Sequence, residues 1–262
     1  MKKIAAAVLG LCGLVFAGCF DIEQTLTLEK NLSGKAGFAM KVNMEPMVGF
    51  MVRMQREMEG KTGEPTAAEL DKARQDFLAS KKPETTPDFE KDRKELQQKL
   101  PKGVTLLDSS FKDEGLKIAA NFLFGFDHVS KLSEIQFPKK QEEGAEQQGP
   151  PGGGNPVESP FNGLKVVDEG STILVTSPAA NPVAEQQEQT AQMDLDPDAK
   201  KQMEEMFKGL RVAFKITAPF EVVEHNAHRK EGNTLIWEYD LKTFEKMKPE
   251  DLAQGVRVRY KK

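Results

Sequence analysis

The first nineteen residues constrain this chain more than any other stretch. Met1-Lys2-Lys3 is a short basic start, and the run from Ile4 to Phe16 is uncharged and largely apolar. Its 13 residues fall short of the roughly 20 that a helix needs to cross a hydrocarbon core of about 30 Å. Residues 1–18 therefore read as a secretory signal peptide, not a membrane span. The run ends at Phe16-Ala17-Gly18-Cys19, and strand-like alternation follows at once: Ile22, Gln24, Leu26 and Leu28 are interleaved with Glu23, Thr25 and Thr27. Whatever holds Cys19 holds the folded domain on almost no tether, because two or three residues reach only about 7–10 Å.

Phe16-Ala17-Gly18-Cys19 resembles the lipobox of bacterial lipoproteins, in which two small residues precede a cysteine. The resemblance implies that the Cys19 thiol takes a diacylglyceryl group and that signal peptidase II cuts before it. It also implies that the new amino group is acylated, with palmitate as a typical chain. Phe16 stands where that family usually has Leu. The alternative is an ordinary signal peptidase cutting after Ala17, where Val15 and Ala17 form a small-x-small site. Two or three acyl chains on one residue make a stable anchor. With Cys12 removed and Cys19 acylated, no thiol remains for a disulfide, and an exported domain must rely on its core. The expected location is the extracytoplasmic face of a bacterial membrane. In a two-membrane cell, Phe20 rather than Asp after the cysteine favours outer-membrane sorting.

The remainder reads as α+β: a mainly antiparallel sheet of hairpins, with several amphipathic helices on one face and two disordered inserts. Residues 19–137 form the first part of the domain and 195–262 the second. Between them lie a Pro/Gly-rich insert at 138–160, a β-hairpin at 161–178 and a low-complexity linker at 179–194. Hairpins are expected at 21–29 with 35–42, at 104–111 with 116–126, and at 164–167 with 172–176. Helices are expected after Asn43, from Thr66 with Glu69 as a capping box, from Thr86-Pro87 to Leu100, after Asp127, and from Asp196-Pro197 to Phe207. Strands close the chain at 210–217, 220–224, 234–241 and 256–260. A net charge of −4 argues against nucleic acid as a partner, since phosphate binding needs a basic surface.

Two stretches resemble bacterial lipoproteins of the LppM type. One is the hairpin directly after the cysteine, Asp21 to Val42 around Ser33-Gly34. The other runs from Pro219-Phe220-Glu221-Val222-Val223 through Asn226 and Gly232-Asn233-Thr234 to Trp237. The resemblance implies a non-enzymatic, envelope-associated, lipid-contacting protein.

Met44, Met47, Met51, Met54 and Met58 follow a 3-4-3-4 spacing on one helical stripe. Such a stripe is either a core-facing surface of adaptable side chains or a yielding apolar groove for an acyl chain or partner helix. Cu(I) binding by the thioethers is a further reading. Arg257, Arg259, Lys261 and Lys262 make the last strand basic on one side. They either protect an exposed sheet edge or face anionic headgroups. Asp194, Asp196, Asp198 and Glu205 match four positions of a calcium loop, but Ala199 stands where the turn needs Gly. His225 and His228 lie three apart beside Glu224, and the other histidine, His128, is distant in sequence. No metal, cofactor or catalytic residue is expected, because no nucleophile triad, phosphate loop or metal-type Cys spacing appears. The expectation is a membrane-anchored binding or structural module whose partner is lipid or an envelope protein. An extracytoplasmic enzyme or enzyme accessory with a carboxylate-based site is the alternative.

Overall fold

The computed structural model describes residues 19–80, 89–136, 161–178, 209–247 and 254–262. In chain order, the first elements are β1 (Cys19–Leu28), β2 (Gly34–Asn43), α1 (Glu45–Met58), α2 (Ala67–Ser80), α3 (Phe89–Lys99), β3 (Val104–Asp113) and β4 (Lys117–Phe126). A 3-10 helix (Val129–Glu134), β5 (Lys165–Asp168) and β6 (Thr172–Ser177) follow. Then come β7 (Arg211–Thr217), β8 (Glu221–His225), β9 (Arg229–Glu231), β10 (Thr234–Asp240), α4 (Leu241–Lys246) and β11 (Val256–Lys261). The expected α+β class and its three early hairpins stand.

The strands form two sheets. Seven lie in the order β3-β4-β2-β1-β7-β10-β9, and four in the order β5-β6-β11-β8. Pairings are antiparallel except β1 with β7, which run parallel from Asp21 opposite Arg211 to Thr27 opposite Thr217. Alternation puts one apolar row after another on a single face. Ala36 and Ile216 flank Leu26, Leu235 lies beyond Ile216, and Phe124 lies beyond Ala36. Phe214 packs edge-on against Trp237 at 6.3 Å, the offset geometry that ring quadrupoles favour. The same core takes in Ile173, Val175, Val256, Val258 and Tyr260 from the second sheet, with Phe161, Leu164 and Leu132.

One side chain ties the sheets together. The Asn226 Oδ1 accepts from Trp237 Nε1 at 2.8 Å and from the Arg257 amide at 2.9 Å, while its Nδ2 donates to the Gly255 carbonyl at 2.8 Å. Trp237 belongs to β10 and Arg257 to β11, so a single amide spans both sheets. It also gives the fully buried indole N–H the acceptor it requires.

The helices obey their local signals. Asn43 Oδ1 accepts from the Glu45 amide at 3.2 Å, and Pro46 sits in the first turn of α1, where its missing N–H costs nothing. Thr66 and Glu69 form the reciprocal capping box: the Thr66 amide donates to Glu69 Oε2 at 2.8 Å, and the Glu69 amide to Thr66 Oγ1 at 3.3 Å. Donation to the Glu69 carboxyl by the Thr66 amide, by the Thr66 hydroxyl at 2.9 Å and by Arg56 holds it down at about 2. Arg56 to Glu69 at 2.6 Å and Arg74 to Glu45 at 2.9 Å fasten α1 and α2 together as an antiparallel pair. Phe89 opens α3 stacked on Phe111 at 5.8 Å, and Leu96 is buried.

The basic last strand differs from expectation. Far from lying on an edge, β11 is hydrogen-bonded on both sides, to β6 and to β8. Its charges therefore do not guard an open edge, because there is none beside them. The three-residue β9 and the single-turn α4, begun by Asp240 accepting from the Thr243 amide at 2.8 Å, were not expected. The expected helix from Asp196 to Phe207 and both inserts lie outside the described residues.

Candidate functional site at the Cys19 end

The seven-stranded sheet has two ends that differ in charge chemistry, and β1 runs from one to the other. Its ten residues span about 30 Å at roughly 3.3 Å per residue. At the first end, Cys19 pairs with Asn43, and Asn43 with Lys117 on the next strand. Strands lie about 4.8 Å apart, so the Lys117 backbone is about 10 Å from that of Cys19. One step inward, Asp21 pairs with Lys41, Lys41 with Ala119, and Ala119 with Lys112. This register gathers Lys41, Lys112 and Lys117 around a shallow hollow of about 330 Å³, which Asp21, Glu114 and Gly209 also line. All three lysines are exposed, and among the described residues no ion pair engages them. Beside the hollow, the turn Asp113-Glu114-Gly115 is closed by the Gly115 amide donating to Asp113 Oδ1 at 2.9 Å. Gly115, at φ +80°, leaves the space in which the exposed side chain of Leu78 lies.

Three carboxylates of β1 and β10 are occupied. On the face turned away from the core, Arg211 reaches Asp21 at 2.7 Å, Glu23 at 3.1 Å and Glu238 at 2.6 Å. Lys215 adds a second cation to Glu23 at 2.8 Å, and Arg229 a second to Glu238 at 2.5 Å. Burial works to raise the Glu23 carboxyl, but hydrogen bonds from Lys215 and Arg211 outweigh it and hold it below the usual range. Hydrogen bonding to Arg211 lowers Glu238 in the same direction. Arg211 thereby joins β1, β7 and β10 through three carboxylates, and the cations beside Glu23 and Glu238 favour their ionised forms.

The far end carries most of the basic strand. Lys261 and Lys262 line a second hollow of about 590 Å³ with Lys30, Leu32, Ile173 and Phe220. Lys30 and Leu32 belong to the turn after Leu28, at the opposite end of β1 from Cys19. The cations of the last strand here face carboxylates, while Lys30 has no ion pair among the described residues: Arg259 reaches Glu224 at 2.6 Å and Glu169 at 3.0 Å, Lys261 reaches Glu221 at 3.7 Å, and Lys262 contacts Asp168. Arg257 is exposed near the Asn226 bridge. Of the four residues expected at headgroups, none lies at the Cys19 end. Lys41, Lys112 and Lys117 were not singled out, because they belong to three strands and only the pairing register unites them.

The methionine stripe does not lie on one side of the surface. Met47 is buried with Val48, Phe50 and Val52, Met44 and Met54 are half-buried, and Met51 and Met58 are 45% and 64% exposed. The histidines are used locally. His225 Nδ1 accepts from the Ala227 amide at 3.1 Å, and His228 Nδ1 from the Glu238 amide at 3.1 Å, with its ring edge-on to Tyr239. His128 caps the 3-10 helix through Ser130. Among the described residues no group of three or more His, Cys, Asp or Glu side chains could hold a metal ion. The acidic set from Asp194 to Glu205, and Phe16, Ala17 and Gly18, lie outside the described residues. Among those described, no helix is long and apolar enough to cross a membrane.

No protein-family model matches the chain, and no curated protein does. Among solved structures it is similar to the folded domain of the Mycobacterium tuberculosis LppM protein, determined by NMR, with a TM-score of 0.40 at 8% identity. The alignment covers 93% of this chain and 90% of that one. A likeness this loose carries no weight for function, which has to be read from the residues themselves.

Proposed function

We propose that this protein is a bacterial envelope lipoprotein, lipidated on Cys19, that serves as a non-catalytic binding or structural module at the membrane surface. Its partner is lipid or another envelope protein. The supporting observation is that β1 begins at Cys19 itself and is paired with β2 from that residue onward. An acylated Cys19 would thus stand at the end of an inner strand of the seven-stranded sheet, with no stalk between lipid and fold. The occupied carboxylates around Arg211 favour a structural role for the charges nearest the anchor. Met51 and Met58 add exposed apolar side chains suited to an envelope partner.

The test is the mature N-terminus. Mass spectrometry of the full chain made in a bacterium should find the first peptide starting at Cys19 and carrying diacylglyceryl and acyl groups. Cys19→Ser should leave the membrane fraction and accumulate uncut or soluble. A mature chain that starts at Gly18 with a free thiol would overturn the proposal.

A further inference from the structure

The basic last strand attracts attention in the sequence, but the geometry points to a different surface. We propose that the Cys19 end of the seven-stranded sheet rests on the bilayer, with Lys41, Lys112 and Lys117 against the phosphates of anionic phospholipids and Leu78 at the interface beside them. This rests on lipidation of Cys19 as proposed above.

Three observations carry it. The first is reach. Cys19 begins β1, and Lys117 lies two strands away, about 10 Å across the sheet. If the acyl chains of residue 19 lie in the membrane, a lysine side chain at that distance stands at headgroup level. Lys261 and Lys262, about 30 Å along β1, do not.

The second is charge. Lys41, Lys112 and Lys117 line one hollow and have no ion-pair partner among the described residues, whereas in the far hollow Lys30 alone is unpaired and Lys261 and Lys262, like Arg259 beside them, each face a carboxylate. The hollow's own acids are Asp21 and Glu114; Asp21 is held by Arg211 at 2.7 Å, so Glu114 alone stands against the three lysines and the lining stays net positive. Neighbouring Asp113 accepts the Gly115 amide. An anion approaching this end therefore meets lysines whose charge is not already spent, and attraction to a negative leaflet acts only within about a Debye length of the surface.

The third is the apolar rim. Leu78 is 41% exposed and lies over Gly115, next to the same hollow. An exposed leucine beside unpaired lysines is the pattern of a surface that sits in the interface, with the apolar group inward and the cations at the phosphates.

The experiment uses the lipidated full chain in vesicles of phosphatidylcholine, with or without phosphatidylglycerol. The mature chain keeps no thiol except the acylated Cys19, so single cysteines at Leu78→Cys, Lys117→Cys and Lys262→Cys can each take a fluorophore. Quenching is read from spin-labelled headgroups. The expected result is several-fold stronger quenching at positions 78 and 117 than at 262, greater with phosphatidylglycerol and weakened by salt. Reversing all three lysines, K41E with K112E and K117E, in the Leu78→Cys chain should cut its quenching several-fold while circular dichroism and vesicle sedimentation stay unchanged. Equal quenching at 78, 117 and 262, stronger quenching at 262, or indifference to the triple reversal would each overturn the proposal. A failed lipid anchor looks different, because the protein then stays in the supernatant and its first peptide lacks the acyl mass.

Discussion

The chain contains the tripeptide Asp-Glu-Gly twice as a hairpin turn, and the two copies lie at opposite ends of the molecule. Asp113-Glu114-Gly115 joins β3 to β4 at the Cys19 end. Asp168-Glu169-Gly170 joins β5 to β6 at the far end, beside Lys262. Locally they match. In each the glycine amide donates to the aspartate Oδ1 at 2.9 Å, the glycine has φ of +80° or +86°, and the glutamate amide closes the turn at 2.8 or 2.9 Å. Their surroundings differ. At the far turn Lys262 contacts Asp168 and Arg259 reaches Glu169, so both acids are tied to the last strand. At the near turn the neighbours are Leu78 and the lysines of the hollow. Identical residues in matching turns thus make a knot between strands in one place and, in the other, stand beside lysines that have no ion-pair partner among the described residues. The difference comes from residues distant in sequence.

Replacing the two turn glycines gives the largest test of that comparison. Both sit at positive φ, where a Cβ is strained, but a Cβ on Gly115 would also come within 3.0 Å of Leu78 Cδ2, while one on Gly170 meets nothing within 4 Å. Gly115→Ala should lower stability by about 2 kcal/mol and Gly170→Ala by about 1 kcal/mol, measured by urea denaturation. Equal losses would mean that Leu78 does not press on the turn.

Acid should then separate the turns. Hydrogen bonding from Lys262, and from the Gly170 amide, holds the Asp168 carboxyl below its ordinary value, and Thr172 with Arg259 does so for Glu169. A carboxyl lowered in the folded state contributes stability at pH above its unfolded value, and that contribution is lost as pH falls through the folded value. The protection of the Glu169 amide against hydrogen exchange should therefore fall, relative to that of the Glu114 amide, as pH falls from neutral through the carboxylate range. Unchanged protection of Glu169 relative to Glu114 would break the contrast.

The smallest effect is at Lys262 itself. Its pair with Asp168 is exposed, and exposed pairs add little to stability. Lys262→Gln should leave the urea midpoint unmoved, raise the Asp168 carboxyl towards its ordinary value by NMR titration, and leave vesicle contact unaltered.

What could be read from the sequence follows from range. The hairpins β1–β2, β3–β4 and β5–β6 each carry alternation and a Gly-containing turn within a short span, and the capping box at Thr66 is four residues long. The parallel join of β1 to β7 has no such local mark, because its partners are separated by most of the chain. The same holds for β11, whose neighbours β6 and β8 are set by tertiary pairing, so its charges looked like those of an edge. The β9 strand is Arg229-Lys230-Glu231, with no apolar residue to signal a strand. The lysines of the hollow were invisible for the same reason: Lys41, Lys112 and Lys117 are ordinary surface residues until the register of β2, β3 and β4 brings them together.

The parallel pairing of β1 with β7 also sets a clock. The strand that begins at Cys19 cannot acquire its second neighbour until residue 217 is available, and the second sheet cannot acquire β11, which joins β6 to β8, until residue 261 is. A chain made from its N-terminus therefore has its first strand long before it has a finished fold. Non-local pairings of this kind form slowly. In that interval the β1–β2–β4–β3 strands and the β5–β6 hairpin can assemble, with the β7 edge of β1 still open.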